Sequence, residues 1–165
     1  MNTSDLQIQV GSEIGTLRSL IIHSPDSGIG RVAPSQAQDW LFEDIIHLET
    51  VRKKEYDLYL KILLYFLDYE TIKGKLSQID SPENRRSFYI PGKRGFHNSA
   101  KVIEFEKLLI DILHQPDVKK TLAASVCALE GCNYRLQQQL IGTGPIELAR
   151  TLISGAYLDD KMLFP

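Results

Sequence analysis

The sequence predicts a mixed α/β unit followed by a bundle of helices. Two short strand-like segments near the N-terminus and a long amphipathic helix after them predict the α/β unit. A polar stretch begins near Asp80, and beyond it apolar residues recur at helical spacing between prolines and glycines. We therefore divide the chain into an α/β unit, residues 1–80, and a helical subdomain, residues 81–165.

The two strand-like segments differ in pattern. Leu6 to Val10 alternates apolar and polar side chains, which predicts a half-buried strand. Leu17 to His23 contains a β-branched run, which predicts a more buried strand. Ser24-Pro25-Asp26 then ends the second strand, because serine, proline and aspartate favour turns.

The helices are predicted from the spacing of their apolar residues. Leu48 to Phe66 places them three and four positions apart with cationic residues between, which predicts a helix that covers the small sheet. Beyond Asp80 every regular segment is predicted to be helical. Proline begins two of these helices and glycine ends three. The four predicted helices are Val102–Leu113, Pro116 to about Glu130, one that ends at Gly142, and Pro145 to Gly155.

The composition excludes some classes of function. The formal charge is −2, so neither nucleic acid nor an anionic membrane surface is predicted as a partner. Two cysteines and the lack of a signal-peptide pattern predict the cytoplasm. Cys127 lies between apolar neighbours and is interpreted as a small buried hydrophobe, and the pair Cys127 and Cys132 lacks the further ligands of a zinc site. No metal or cofactor is predicted.

A basic stretch contains Arg85-Arg86 and Lys93-Arg94, with Phe88, Tyr89 and Phe96 nearby. Cationic and aromatic side chains together can bind nucleic acid. Because the chain as a whole is nearly neutral, we favour a solvated loop instead.

Four short stretches occur in a fixed order along the first part of the chain. They are Ser12–Arg18 with His23-Ser24-Pro25, then Val32–Ser35, Leu41–Ile45 and Glu55-Tyr56-Asp57. Their order and spacing resemble the N-terminal signature of the arginine deiminases and the related amidinotransferases. The family usually has glycine where this chain has Asp26, Asp-Asp where it has Glu43-Asp44, and histidine where it has Tyr56.

This resemblance implies a fold and a chemistry. The family fold is the pentein-type α/β propeller, so residues 1–80 would be its first module and residues 81–165 a helical bundle insertion. In such enzymes a cysteine attacks the guanidinium carbon, and a histidine and acidic residues assist. The cysteine and the acidic Thr-Arg-Asp motif come later in the family pattern. We therefore expect this chain to stop before them, to contain no catalytic residue and to be inactive alone.

The resemblance also implies substrate-binding residues. Leu41 and Phe42 would form a wall of the pocket, and Asp44 would pair with an arginine from outside this sequence. Glu13 would be a charge partner for an arginine near the pocket, although a solvated turn residue explains it equally well. For Asp44, an acidic first turn of a helix is the alternative.

The leading function is hydrolysis of a guanidino compound, with L-arginine converted to citrulline and ammonia. An amidinotransferase on the same fold and a non-catalytic interaction or regulatory module are the alternatives. Each of these three functions is compatible with a homo-oligomer of the longer protein to which this chain would belong. The enzyme-part interpretation predicts an unpaired sheet edge and an exposed apolar patch around Trp40, Leu41 and Phe42, whereas a non-catalytic module predicts a fully covered core.

Overall fold

The computed structural model describes residues 10–12, 14–26 and 47–154, with the backbone of 157–158 and 161–162. The predicted strand Leu6 to Val10 falls almost wholly outside these residues, and so does Gly155. The helices and strands, in chain order, are β1 (Leu20–Ile22), α1 (Leu48–Thr50), a π-helical segment (Val51–Tyr56), α2 (Asp57–Leu67), α3 (Tyr69–Ile72), α4 (Leu76–Ile79), a 3-10 turn (Pro82–Asn84), β2 (Val102–Glu104), α5 (Phe105–Leu113), α6 (Pro116–Leu129), α7 (Tyr134–Gly142), α8 (Pro145–Ser154), β3 (Tyr157–Leu158) and β4 (Lys161–Met162).

The long helix predicted from Leu48 to Phe66 is confirmed. It runs through α1, the π-helical segment and α2 to Leu67. The face predicted to cover the sheet was wrong, because Leu60 and Leu64 are the fully buried residues of α2. Leu58, Tyr59, Ile62 and Phe66, which the spacing placed on the inner face, are exposed. The helix ends because Asp68 adopts a non-helical conformation, with its backbone N–H still donating to the carbonyl of Leu64.

The prediction of a helix from Val102 was wrong at its start. Val102–Glu104 is a strand that pairs in parallel with β1, with Leu20 opposite Val102 and Ile22 opposite Glu104. The Ser99 hydroxyl accepts from the backbone N–H groups of Lys101 and Val102, which holds the chain in a turn before the strand. The pairing with β1 and the burial of Val102 therefore outweigh the local helical pattern.

The helices after β2 agree with the sequence pattern. Pro116 begins α6, and Gly131 follows its end at φ +65°, the left-handed conformation that glycine favours. Helix α5 packs against α8, and Arg150 Nε donates to Glu106 Oε1 across that contact at 2.8 Å. Among the described residues, no helix has the length and apolar character needed to cross a membrane.

Two buried clusters form the described core. The first lies between the parallel strands, α2 and the segment after α4, and consists of Ile22, Leu60, Leu64, Ile72, Ile79, Phe88, Tyr89 and Val102. The second lies among the last four helices and consists of Ile110, Leu113, Ala123, Cys127, Leu140, Leu148 and Ala149. The mixed α/β character is thus confirmed, as is the burial of Cys127. The first cluster draws on both sides of residue 80, and the division of the chain into domains there stays a prediction.

The interpretation of the basic stretch as a solvated loop was wrong for its aromatic residues. Phe88, Tyr89 and Phe96 are buried in the structure, and so is His97. Their rings pack on one another, with the Phe88 and Tyr89 centroids 5.3 Å apart. These aromatic side chains are therefore not available to stack on nucleic-acid bases. Phe88 and Tyr89 belong to the first buried cluster.

Candidate functional site

The parallel strands end at the same edge of their sheet, and polar side chains gather there. His23, Ser24 and Asp26 follow β1, and Glu104 ends β2. The carboxyl ends of parallel strands are the usual place for ligands in α/β proteins. We call the following residues the strand-end cluster: His23, Ser24, Asp26, Arg52, Tyr56, Asp57, Arg86 and Glu104.

Arg86 lies at the centre of this cluster. Its Nε and Nη2 each donate to one carboxylate oxygen of Asp57 at 2.7 Å, a two-point pairing. Its Nη1 donates to both carboxylate oxygens of Asp26, at 3.1 and 3.0 Å. One guanidinium thus ties the loop after β1 to the start of α2.

The backbone at Arg86 is strained. Arg85 and Arg86 have φ of +41° and +60°, a left-handed conformation that side chains with a Cβ rarely adopt. Each such residue costs on the order of 1 kcal/mol or more. Since Arg86 turns inward from this conformation, its ion pairs with Asp57 and Asp26 help to offset the strain.

Burial and pairing act in opposite directions on these charges. Burial raises the pKa of Asp57 above its usual range, although the hydrogen bonds from Arg86 oppose that shift. Burial alone would lower the pKa of Arg86, but its bonds to Asp57 and the charge of Asp26 raise it. Arg86 is therefore charged at every accessible pH.

Asp26 also lies beside a second guanidinium. Arg52 Nε is 2.7 Å from Asp26 Oδ1, yet its N–H is not directed at that oxygen and makes no hydrogen bond among the described residues. The side chain of Ser24 completes the turn, since its hydroxyl donates to Asp26 at 3.0 Å and accepts from the Asp26 backbone N–H at 3.2 Å. Asp26 is thereby held between two cations.

Glu104 is buried and has both carboxylate oxygens occupied. Oε1 accepts from the backbone N–H of Ser24 at 3.0 Å, and Oε2 accepts from that of Lys107 at 3.0 Å. The second bond caps the N-terminus of α5. His23 Nδ1 lies 3.6 Å from Oε1, and the His23 ring meets Phe105 edge to face. Glu104 thus joins β1, β2 and α5, and has no free oxygen for a ligand.

The hydroxyl of Tyr56 is the unusual group in the cluster. It is buried and has no hydrogen-bond partner among the described residues. Burial raises the pKa of Tyr56, and the charges of Glu104, Asp57 and Asp26 raise it further. Tyr56 is therefore a neutral phenol that can donate one hydrogen bond.

The described residues contain no activated nucleophile in this cluster. Burial raises the pKa of the Cys127 thiol to about 11, and Cys127 belongs to the second core rather than to the strand ends. In the same part of the chain, no group of three or more histidine, cysteine or acidic residues could hold a metal ion. The cluster can position neighbouring segments and present a phenol donor.

Comparison with known proteins found similarity to arginine deiminases. An arginine deiminase from Streptococcus pyogenes is 33% identical over 90 residues, which is 52% of this chain and 21% of that protein. An arginine deiminase from Pediococcus pentosaceus is 27% identical over 158 residues, which is 93% of this chain and 31% of that protein. This chain is a distant relative of the arginine deiminases. No family model matches it, and neither does any solved structure.

The chain spans between 21% and 31% of the length of these two arginine deiminases. Two of the four stretches that carry the resemblance meet in the strand-end cluster. His23-Ser24-Pro25 lies at the end of β1, and Asp57 of Glu55-Tyr56-Asp57 is joined to it through Arg86 and Asp26. Two departures from the family pattern, Asp26 and Tyr56, lie in this same cluster.

The structure does not describe the predicted substrate-binding residues. Leu41, Phe42, Asp44 and Glu13 all lie outside the described residues, and so does Trp40 with the predicted apolar patch. Their roles stay predictions. In the described part of the chain the parallel sheet has two strands, and Ile21 on β1 is 59% exposed.

Sequence reasoning missed Arg86 as a member of the cluster. Asp57 belongs to Glu55-Tyr56-Asp57, one of the stretches that carry the resemblance. Arg86 belongs to the basic stretch that was interpreted as a solvated loop. Nothing in the local pattern separates it from Arg85, which is exposed. A pairing across 29 positions is set by the folded chain alone.

Proposed function

We propose that this chain forms a pocket-shaping part of an enzyme that hydrolyses a guanidino compound, with L-arginine converted to citrulline and ammonia. The observation that carries the proposal is the match over 93% of the chain to an arginine deiminase. The 33% identity to a second arginine deiminase supports it. Since the chain spans under a third of either relative, the activity is proposed for a whole protein of that kind.

In the proposed reaction the nucleophile comes from outside this sequence. A cysteine thiolate forms a bond to the guanidinium carbon and ammonia leaves. Water then attacks the thiouronium carbon, which releases citrulline and returns the thiolate. No cofactor is needed, because neither step transfers electrons to an acceptor.

The proposed contacts of this chain with the substrate come from the segment between β1 and α1 and from Glu13, which precedes β1. Leu41 and Phe42 would wall the pocket, and Asp44 would hold an arginine of the enzyme in place. Glu13 would balance a further arginine charge. Asp26, where that segment begins, is held in place by hydrogen bonds from Arg86.

The first experiment measures citrulline production from L-arginine by the purified chain. We expect none, because Asp57 and Glu104 have their oxygens occupied and burial raises the pKa of Cys127 to about 11. Citrulline formation above a heat-denatured control would contradict the assignment of the nucleophile to another part of the protein.

A chimera tests the guanidino chemistry itself. In it, this chain replaces the matching N-terminal part of the Pediococcus pentosaceus arginine deiminase, and citrulline is measured. We expect activity, a clear loss in Asp44→Asn, and no loss in the exposed control Glu130→Gln. A folded chimera without activity on arginine would favour the non-catalytic module. Transfer of the amidino group to added glycine would favour the amidinotransferase.

A further inference from the structure

The outward side of the long helix carries a stripe of exposed apolar side chains. Its members are between 45% and 79% exposed, and Phe66 is the most exposed of them. We call them the α2 stripe: Leu58, Tyr59, Ile62, Tyr65, Phe66 and Tyr69. The five on α2 recur at spacings of three and four, so they lie on one side of that helix.

The rings of the stripe hold one another in place. Tyr65 meets Phe66 edge to face with centroids 5.4 Å apart, and meets Tyr69 in the same way at 5.3 Å. Tyr69 therefore continues the stripe although it begins α3. The stripe is a preformed surface, since its side chains need little further ordering to bind a partner.

The sequence of the stripe is symmetric about Ile62. Leu58 and Tyr59 stand four and three positions before Ile62, and Tyr65 and Phe66 stand three and four positions after it. An antiparallel second copy with its two-fold axis at Ile62 places Leu58 against Phe66 of that copy. The same axis places Tyr59 against Tyr65, so each of the five stripe residues on α2 meets an apolar residue.

The charges along α2 do not oppose a second copy. Lys61, the charged residue between Leu58 and Phe66, is bound to Asp80 at 2.7 Å. No like-charge pair therefore opposes the contact along α2.

The area of the stripe suits a weak dimer. A fully buried aromatic side chain covers about 150–250 Å², so six half-exposed side chains offer roughly 500–600 Å². Two such surfaces bury about 1,000–1,200 Å², which is the lower limit for a specific interface. A contact of this size is typical of weak, transient pairs.

We propose that the α2 stripe is an isologous interface at which two copies of this chain pair in antiparallel orientation. The interface is distinct from the strand-end cluster, which lies at the sheet edge. It is also independent of the proposed guanidino chemistry, because none of its residues is assigned to the substrate.

Sedimentation velocity of the full chain over a range of concentrations tests the proposal. We expect a monomer–dimer equilibrium, at least tenfold weaker in Ile62→Glu and Phe66→Glu. Leu129→Glu is the matched control, because Leu129 is 85% exposed on α6, away from the stripe. Circular dichroism of each variant should match the unchanged chain. A monomer up to about 1 mM, or equal weakening by all three substitutions, overturns the proposal.

A charge-pair experiment tests the antiparallel orientation. Tyr59→Lys and Tyr65→Glu should each weaken the dimer, because each puts an unpaired charge in the interface. The double variant Y59K/Y65E should recover at least part of the loss, since each new lysine faces a new glutamate of the other copy. In a parallel dimer, position 59 faces position 59, so the double variant would be weaker than either single one. That result overturns the antiparallel pairing.

Discussion

Arg86 binds both carboxylate oxygens of Asp57 at 2.7 Å, and this pair joins the long helix to a segment 29 positions later. Asp57 is 4% exposed, so it has no access to water that could replace Arg86. The same guanidinium holds Asp26 after β1. The position of three segments around the strand ends therefore depends on one side chain.

Arg86→Ala should lower the free energy of unfolding on the order of 3–5 kcal/mol, because it leaves the Asp57 charge buried without its partner. Arg86→Lys should lower it by less, since an ammonium keeps the charge but cannot form the two-point pairing. Urea unfolding followed by circular dichroism measures both.

The exposed Arg94→Ala is the control and should change stability by less than about 0.5 kcal/mol. The double variant R86M/D57L should be more stable than Arg86→Ala, because apolar side chains of similar volume remove the buried charge. Equal stability of Arg86→Ala and Arg94→Ala would show that the ion pair does not hold the fold together.

Glu104→Gln tests the second link at the strand ends. Each Glu104 oxygen accepts a backbone N–H, from Ser24 and from Lys107. An amide NH₂ in place of one oxygen would face an N–H donor, so one backbone group loses its acceptor. We expect a loss of roughly 1–3 kcal/mol in the free energy of unfolding.

The control for that substitution is Glu130→Gln at an exposed position after α6, which should be nearly neutral. Amide hydrogen exchange gives a local measurement. The N–H groups of Ser24 and Lys107 should exchange faster in Glu104→Gln, whereas those in α7 should be unchanged. Unchanged protection at both positions would contradict the assigned bonds.

His97 gives the fold a dependence on pH. It is 8% exposed, and its Nδ1 accepts from the backbone N–H of Ser99 at 3.1 Å. Burial lowers the pKa of His97 to about 4, although the charges of Glu104 and Asp68 oppose that shift. The folded chain therefore keeps His97 neutral at a pH where the unfolded chain protonates it.

The sign of the effect follows from proton binding. Above the ordinary histidine pKa of about 6.5 neither state binds the proton, so the titration of His97 adds no pH dependence to the stability there. Between pH 6.5 and 4 the unfolded state binds more protons, and the free energy of unfolding falls as the pH falls. The loss should be on the order of 2–4 kcal/mol, at about 1.4 kcal/mol for each unit of pKa.

Urea unfolding of the unchanged chain and of His97→Gln across this pH range isolates the contribution. Carboxylates titrate in both proteins, so the difference between the two curves reports His97. We expect His97→Gln to be less stable than the unchanged chain near pH 7, with the difference shrinking towards pH 4. A difference that stays constant with pH would contradict the lowered pKa.

The sequence could predict the features that depend on neighbouring residues. Pro116, Gly131 and Pro145 mark helix ends through the backbone conformations they allow, and α6 and α8 begin where those signals predict. The strand Val102–Glu104 was missed because its pairing partner lies more than 80 positions earlier, and its apolar residues also fit a helix. Arg86 was missed for the same reason.

Gly131 and Gly142 both lie at helix ends, but their backbone conformations differ. Gly131 follows α6 at φ +65°, and a Cβ added there would meet no atom within 4 Å. Gly131→Ala should therefore lower stability by about 1 kcal/mol through backbone strain alone. Gly142 ends α7, also has space for a Cβ, and does not have a left-handed backbone. Gly142→Ala should be neutral or raise stability by about 0.4–1 kcal/mol, because alanine restricts the unfolded chain. Thermal unfolding of both variants tests the contrast, and equal shifts in Tm would mean that the helix end at Gly131 does not require glycine.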